Sequence, residues 1–210
     1  MRLILEKRAD RSPFFAIASP FLALLLTLIA GGLIFALRGI NPLEGLYVYF
    51  IEPLTQLWSV EQLIVKAAPL VLIGVGLAVC YMANVWNIGA EGQLTMGAIA
   101  GSIAPVMFPD WQDPSILVVM LIMGTVGGAL YGAIPGLLKT RFNANEILVS
   151  LMLSLVALQG LNYLLVGPWK DPEGFNFPQS VMFQYDALVP TLISGTRVNV
   201  SLLITLALSL

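Results

Sequence analysis

Two short polar stretches hold most of the side chains in this sequence that could do chemistry. The first, NVWNIGAEGQ, places Asn84, Asn87, Glu91 and Gln93 among the glycines Gly89 and Gly92. The second, FNANE, places Asn143, Asn145 and Glu146 just ahead of another apolar run. Amides and carboxylates at such boundaries can do either of two things. They can cap a helix in a tight turn, an Asn side chain accepting from backbone N–H groups while an acid in the first turn gains about 0.3 to 1 kcal/mol from the helix dipole. They can also line a pathway, because irregular backbone at membrane depth is tolerated only where it is buried in protein or faces a water-filled cavity. Both readings stay open for Asn87, Gly89, Glu91, Gly92 and Gln93. For Glu146, in the first turn of a helix that Asn143 or Asn145 can cap, and for Glu91, the dipole alone suffices; a gating or coupling carboxylate is the alternative.

Covalent chemistry has little to work with. Histidine is absent, which removes Ser-His and Cys-His catalysis and the commonest transition-metal ligand. The single cysteine, Cys80, lies in an apolar run and offers neither a disulfide nor a multi-cysteine metal site. No G-x-x-x-x-G-K-[ST] phosphate loop, H-E-x-x-H or G-x-S-x-G motif is present, so any ATP chemistry belongs to another chain and no cofactor is expected in this one. A net charge of −2 supplies no basic field for nucleic acid.

The elements that must position these residues are membrane spans. Hydrophobic residues make up 58% of the chain and charged ones 10%, against roughly 45 to 50% and 25% in soluble domains. Long apolar runs predict helices near Phe14 to Leu37, Leu63 to Ala83, Gln93 to Phe108, Ser115 to Leu138 and Ile147 to Val166. A sixth begins at Val198 and is cut at Leu210, about two-thirds of the roughly 20 residues a span needs. The expected fold is therefore an all-α, polytopic bundle of about five complete spans plus a truncated sixth, with residues 1–210 forming the N-terminal part of a longer transmembrane domain. The first run is too long for a signal-peptide core and lacks a cleavage site, so it reads as an uncleaved span. Arg2, Lys7, Arg8 and Arg11 place the N-terminus in the cytoplasm, and Lys139 and Arg141 then fall on the same side. The acidic segments Arg38 to Gln62 and Gly167 to Arg197 fall outside, as long surface loops with short helical or extended pieces.

Within the spans, Gly124, Gly128, Gly132 and Gly136 recur every four residues and put a strip of bare backbone on one helix face. Such strips let helices approach closely, since packing rather than hydrophobicity drives association in lipid. Gly97 and Gly101 form a shorter strip. Tight packing within the subunit is the favoured role, a conduit-lining face or subunit interface the other. Pro69, Pro105 and Pro135 are expected to kink or end their helices. Lys66, one turn into its span, can snorkel to the interface.

The run NVWNIGAEGQLTMGAIAG (Asn84 to Gly101), followed by FNANEILVSLMLSLVA (Phe142 to Ala157), resembles the permease subunits of bacterial ABC importers for nucleosides and simple sugars, within the ribose and branched-chain amino acid permease group. That resemblance implies an inner-membrane, non-enzymatic subunit that pairs with a second permease, cytoplasmic ATP-binding modules and an extracytoplasmic substrate-binding protein. Asn87, Gly89, Glu91, Gly92 and Gln93 correspond to its first motif, Asn145 and Glu146 to its second. Two other classes compete: an ion-coupled carrier or channel, for which a ladder of mid-membrane ionisable residues is wanting, and a non-transporting membrane fragment that only binds partner subunits.

Overall fold

The computed structural model describes residues 13–193 and 195–209. The N-terminal cations Arg2, Lys7, Arg8 and Arg11, on which the sequence-based orientation rests, lie outside the described residues. Among the described residues eight α-helices follow one another: α1 (Pro13–Leu37), α2 (Pro42–Phe50), α3 (Glu52–Thr55), α4 (Leu57–Met82), α5 (Ala90–Met107), α6 (Ser115–Phe142), α7 (Glu146–Val166) and α8 (Ser201–Ser209). Among the described residues the only extended pairing is two isolated bridges, Lys170 with Ser180 and Thr191 with Asn199.

Among the described residues, four helices are long and apolar enough to cross a membrane: α1 from Ile17, α4, α6 and α7. The third expected span is α5, an 18-residue helix that rises roughly 27 Å at 1.5 Å per residue, just short of the hydrocarbon core. Its first turn carries Glu91 and Gln93, which dilute its apolar character. α8, in the apolar run that begins at Val198, has nine described residues.

The chain divides into two compact units at Leu63 and Ile64. In the first, α2 folds back on α1, with Gly45 against the Phe35 ring and Gly32 facing Pro42. Asn41 caps α2 by accepting from the Leu43 N–H at 3.1 Å. In the second, α5, α6 and α7 pack together, and the order of contacts fixes their directions. Gly101 faces Gly124, Gly97 faces Gly128, and Gln93 faces Gly132, so α5 and α6 are antiparallel with matching four-residue steps. Ile88 and Gly92, at the start of α5, meet Ser150 and Ser154 in the first three turns of α7, so these helices start on the same side. The 83–89 and 143–145 connections therefore share one end of this unit.

At the opposite end a small cluster closes the unit. Ala104, Ile116 and Ala187 are buried together, with Trp111, Met120 and Phe183 around them. Gln184, from the segment after α7, reaches across to the carbonyls of Phe108 at 3.2 Å and Pro109 at 2.6 Å, covering the end of α5. Asp113 opens α6 by accepting from the Ser115 N–H at 2.8 Å, and the hydrogen bonds from Ser115 hold its carboxyl below the usual range. Pro69 and Pro135 do not end their helices, since α4 and α6 run on through them, whereas α5 stops two residues past Pro105. A missing N–H deep in an apolar helix costs one hydrogen bond, and the rest of the ladder has no aqueous alternative.

Candidate functional site

Asn87 organises the start of α5. Its Oδ1 accepts from the Gly89 N–H at 2.9 Å, an Asx turn that ends the non-helical 83–89 connection and releases the chain into the helix. The same oxygen accepts from Gln93 Nε2 at 3.2 Å, while Asn87 Nδ2 donates to Gln93 Oε1 at 3.3 Å. The two amides thus form a reciprocal pair across the first turn.

Backbone donors at this start are met from another helix. Ser150 Oγ of α7 accepts from the Ile88 N–H at 3.2 Å, and Ser154 Oγ accepts from the Gly92 N–H at 3.3 Å. Gly92 is the third residue of α5, so its N–H is one of the four with no partner inside the helix. Both serines are nearly inaccessible, at 1% and 5% exposure. Their hydroxyls donate onward to the Ile147 and Ser150 carbonyls, so nothing polar is stranded. The glycines are explained by the same contact. A Cβ on Gly92 would stand 2.6 Å from Ser154 Cα, and one on Gly89 would stand 2.8 Å from Ser150 Cβ.

The second motif lies at the same end. Asn143 closes α6 in the left-handed conformation, its N–H reaching the Leu138 and Lys139 carbonyls. Asn145 then caps α7, accepting from Ile147 N–H at 3.0 Å and Leu148 N–H at 3.3 Å. Glu146 pairs with Lys139 across this three-residue turn, joining two residues whose sequence contexts suggested separate roles. Glu91 is set apart from this network: its side chain is exposed, and only its carbonyl is engaged, by Thr95 Oγ1 at 2.8 Å.

Two cavities flank the amide pair. One, of about 250 Å³, is lined by Ile73, Leu77, Cys80, Asn87, Gln93 and Leu94. The other, of about 90 Å³, is lined by Cys80, Asn87, Gly132, Pro135, Glu146 and Ser150. Asn87 belongs to both, and the Gln93 amide lies against Gly132, where a Cβ would come within 3.1 Å of it.

Of the glycine strip, Gly124 and Gly128 face the backbone of α5, and Gly132 faces Gln93. Gly136 differs: nothing lies within 4 Å of its Cβ position. In the antiparallel register its partner would be Gly89, where α5 has not yet begun and the chain turns toward Ser150 instead. The closest approach in the seam involves a glycine outside the four-residue repeat, Gly127, whose Cβ would fall 2.4 Å from that of Ala100. Sequence reasoning also missed Ser150 and Ser154. Their spacing by four, the same small-xxx-small signal applied to hydroxyl residues, would have found them.

Comparison with known proteins agrees with this architecture. A family model described as the permease component of branched-chain amino acid transport systems matches residues 59–210. A glucose ABC transporter permease protein of Haloferax volcanii is 35% identical over 192 residues, 91% of this chain and 50% of the relative. A guanosine ABC transporter permease protein of Bacillus subtilis is 32% identical over 154 residues, 73% of this chain and 44% of the relative. A nucleoside ABC transporter permease protein of Lactococcus lactis subsp. cremoris is 30% identical over 139 residues, covering 66% and 38%. The chain thus spans half or less of the length of these curated relatives. No solved structure matches it significantly.

Proposed function

The chain belongs to the family of permease components of branched-chain amino acid transport systems, and on that premise we propose that it supplies the N-terminal part of the membrane-spanning conduit of an ATP-driven importer for nucleosides or simple sugars. Its partners in this reading are a second permease subunit, a cytoplasmic ATP-binding subunit and an extracytoplasmic substrate-binding protein. The N-terminus and the 143–145 connection face the cytoplasm of an inner membrane. Energy arrives from the ATPase, and this chain contributes a path and its movement.

The observation that carries the reading is the polar start of α5. Asn87 and Gln93 stand between two cavities in an otherwise apolar bundle, on a backbone whose free donors are satisfied by α7. The 83–89 connection lies at the end it shares with the 143–145 turn, so in this reading the amide pair borders the cytoplasmic mouth of the pathway. Asn87, Gly89, Gly92 and Gln93 border the pathway, with Glu91 at its rim, while Asn145 and Glu146 fix the neighbouring turn.

The test is uptake. Vesicles holding the complete permease with its ATPase and binding protein should accumulate radiolabelled guanosine or glucose only when ATP is supplied. Asn87→Ala and Glu91→Gln should each lower that uptake at unchanged membrane abundance. No ATP-dependent uptake by the wild-type complex refutes the importer; normal uptake by both variants refutes the pathway assignment alone.

A further inference from the structure

The amide pair has a feature that a purely structural cap does not need. Asn87 is already fixed by its own turn, because Oδ1 takes the Gly89 N–H at 2.9 Å. Its two bonds with Gln93 are longer, at 3.2 and 3.3 Å, at or beyond the ordinary range. Each primary amide has two donors and two lone pairs on oxygen. The reciprocal arrangement uses one donor of each and leaves the second outside the pair. Gln93 has the longer side chain of the two, and it rests against Gly132, where α6 offers no side chain to hold it.

The pair also stands in the wall that the two cavities share. Asn87 lines both, Gln93 lines the larger, and the Gly132 it touches lines the smaller. We propose that the reciprocal Asn87–Gln93 amide pair is a gate between these cavities, opened when an uncharged solute rich in hydroxyl or amide groups takes over the hydrogen bonds that the two side chains give each other. The inference rests on the permease reading above and names how its conduit selects.

The chemistry of the site decides what can open it. Exchanging one neutral hydrogen bond for another of the same kind changes little free energy, so a polyol or a nucleobase can replace either amide. An apolar solute cannot, because it offers the parted amides no hydrogen bond in return. An ion meets a heavier penalty: it must shed its water, and Glu146, the charged side chain lining these cavities, is already paired with Lys139. Selection for neutral, hydrogen-bonding solutes follows from dipoles without charge.

The gate makes two variants behave differently. Gln93→Met keeps the length of the side chain and removes its amide. Gly132→Ala leaves both amides in place and sets a Cβ 3.1 Å from the Gln93 side chain, where it would hinder the swing. In vesicles with the complete transporter, Gln93→Met should raise the KM for radiolabelled guanosine or glucose about tenfold, the worth of one or two exchanged hydrogen bonds. Gly132→Ala should instead lower the maximal rate severalfold at nearly constant KM. A capping role alone predicts lower abundance and no such split. Should Gln93→Met fail to assemble, Gln93→Glu decides the matter, since it keeps the shape and one acceptor, loses the donor to Asn87, and should again raise KM. An unchanged KM in an assembled variant, with the wild-type complex transporting, overturns the gate and leaves the importer standing. A wild-type complex that moves neither solute removes the importer itself.

Discussion

Gly127 and Gly136 lie nine positions apart in one apolar helix, and the same substitution should affect them in opposite ways. Replacing either with alanine removes the same backbone freedom, worth up to about 1 kcal/mol in a helix interior, and that gain cancels in the comparison. What remains is contact with α5. At Gly136 the new methyl meets nothing within 4 Å. At Gly127 it would stand 2.4 Å from Ala100 Cβ, where carbon atoms at rest keep about 3.5 to 4.0 Å. The helices must part locally by more than about 1 Å, and no flexible side chain can absorb the shift. The movement would spread along the seam, since Cβ positions at Gly97, Gly101 and Gly128 are already within 3.0 to 3.2 Å of carbonyl oxygens on the facing helix. Overpacking of this kind costs roughly 1 to 3 kcal/mol. Gly127→Ala should therefore be less stable than Gly136→Ala by about that amount. The measurement is unfolding of the purified, complete protein in mild detergent, followed by helicity against added denaturing detergent. Superimposable transitions for the two variants would refute the α5–α6 seam as described.

Two further outcomes follow. Cysteines introduced at Glu52 and Glu173 should react with an impermeant maleimide in intact cells and one at Arg141 should not; labelling at Arg141 would reverse the proposed orientation. Ser154→Ala should leave the buried Gly92 N–H without an acceptor, costing about 1 kcal/mol and speeding hydrogen exchange at that amide; unchanged exchange would dismiss the cross-helix cap.

The helices were legible in the sequence because apolar runs of span length have few alternatives in lipid. Their ends were less so. α4 starts at Leu57 rather than near Leu63, since Glu61 and Gln62 are compatible with a helix although they interrupt an apolar count. α6 continues to Phe142 because Lys139 and Arg141 suit the negative end of a helix dipole, and Asn143 in the left-handed conformation stops it. α5 begins at Ala90, three residues before its apolar run, because the Asn87 Asx turn and Gly89 set the start. In each case a polar residue was read as a boundary when it was part of the element. Asn145 is the converse case, a cap whose residue type and position sufficed.

The pairings within the site depend on register, which no single stretch records. Ile88 and Ser150 are 62 residues apart, as are Gly92 and Ser154, and equal separations are what two helices starting together and running the same way must produce. Given that arrangement, the residue types are nearly forced. The start of α5 brings N–H groups that lack helical partners against α7, so the facing positions must offer acceptors small enough for close approach, and serine is the residue that does both. Glycine at 89 and 92 is the complementary choice, because any side chain there would lift the amides out of reach. Asn87 and Gln93 stand just outside that locked contact, held by each other and bordered by cavities. In the conduit proposed above, this division of a close backbone seam from a hydrogen-bonded amide pair would let solute pass without unfastening the helices that form it.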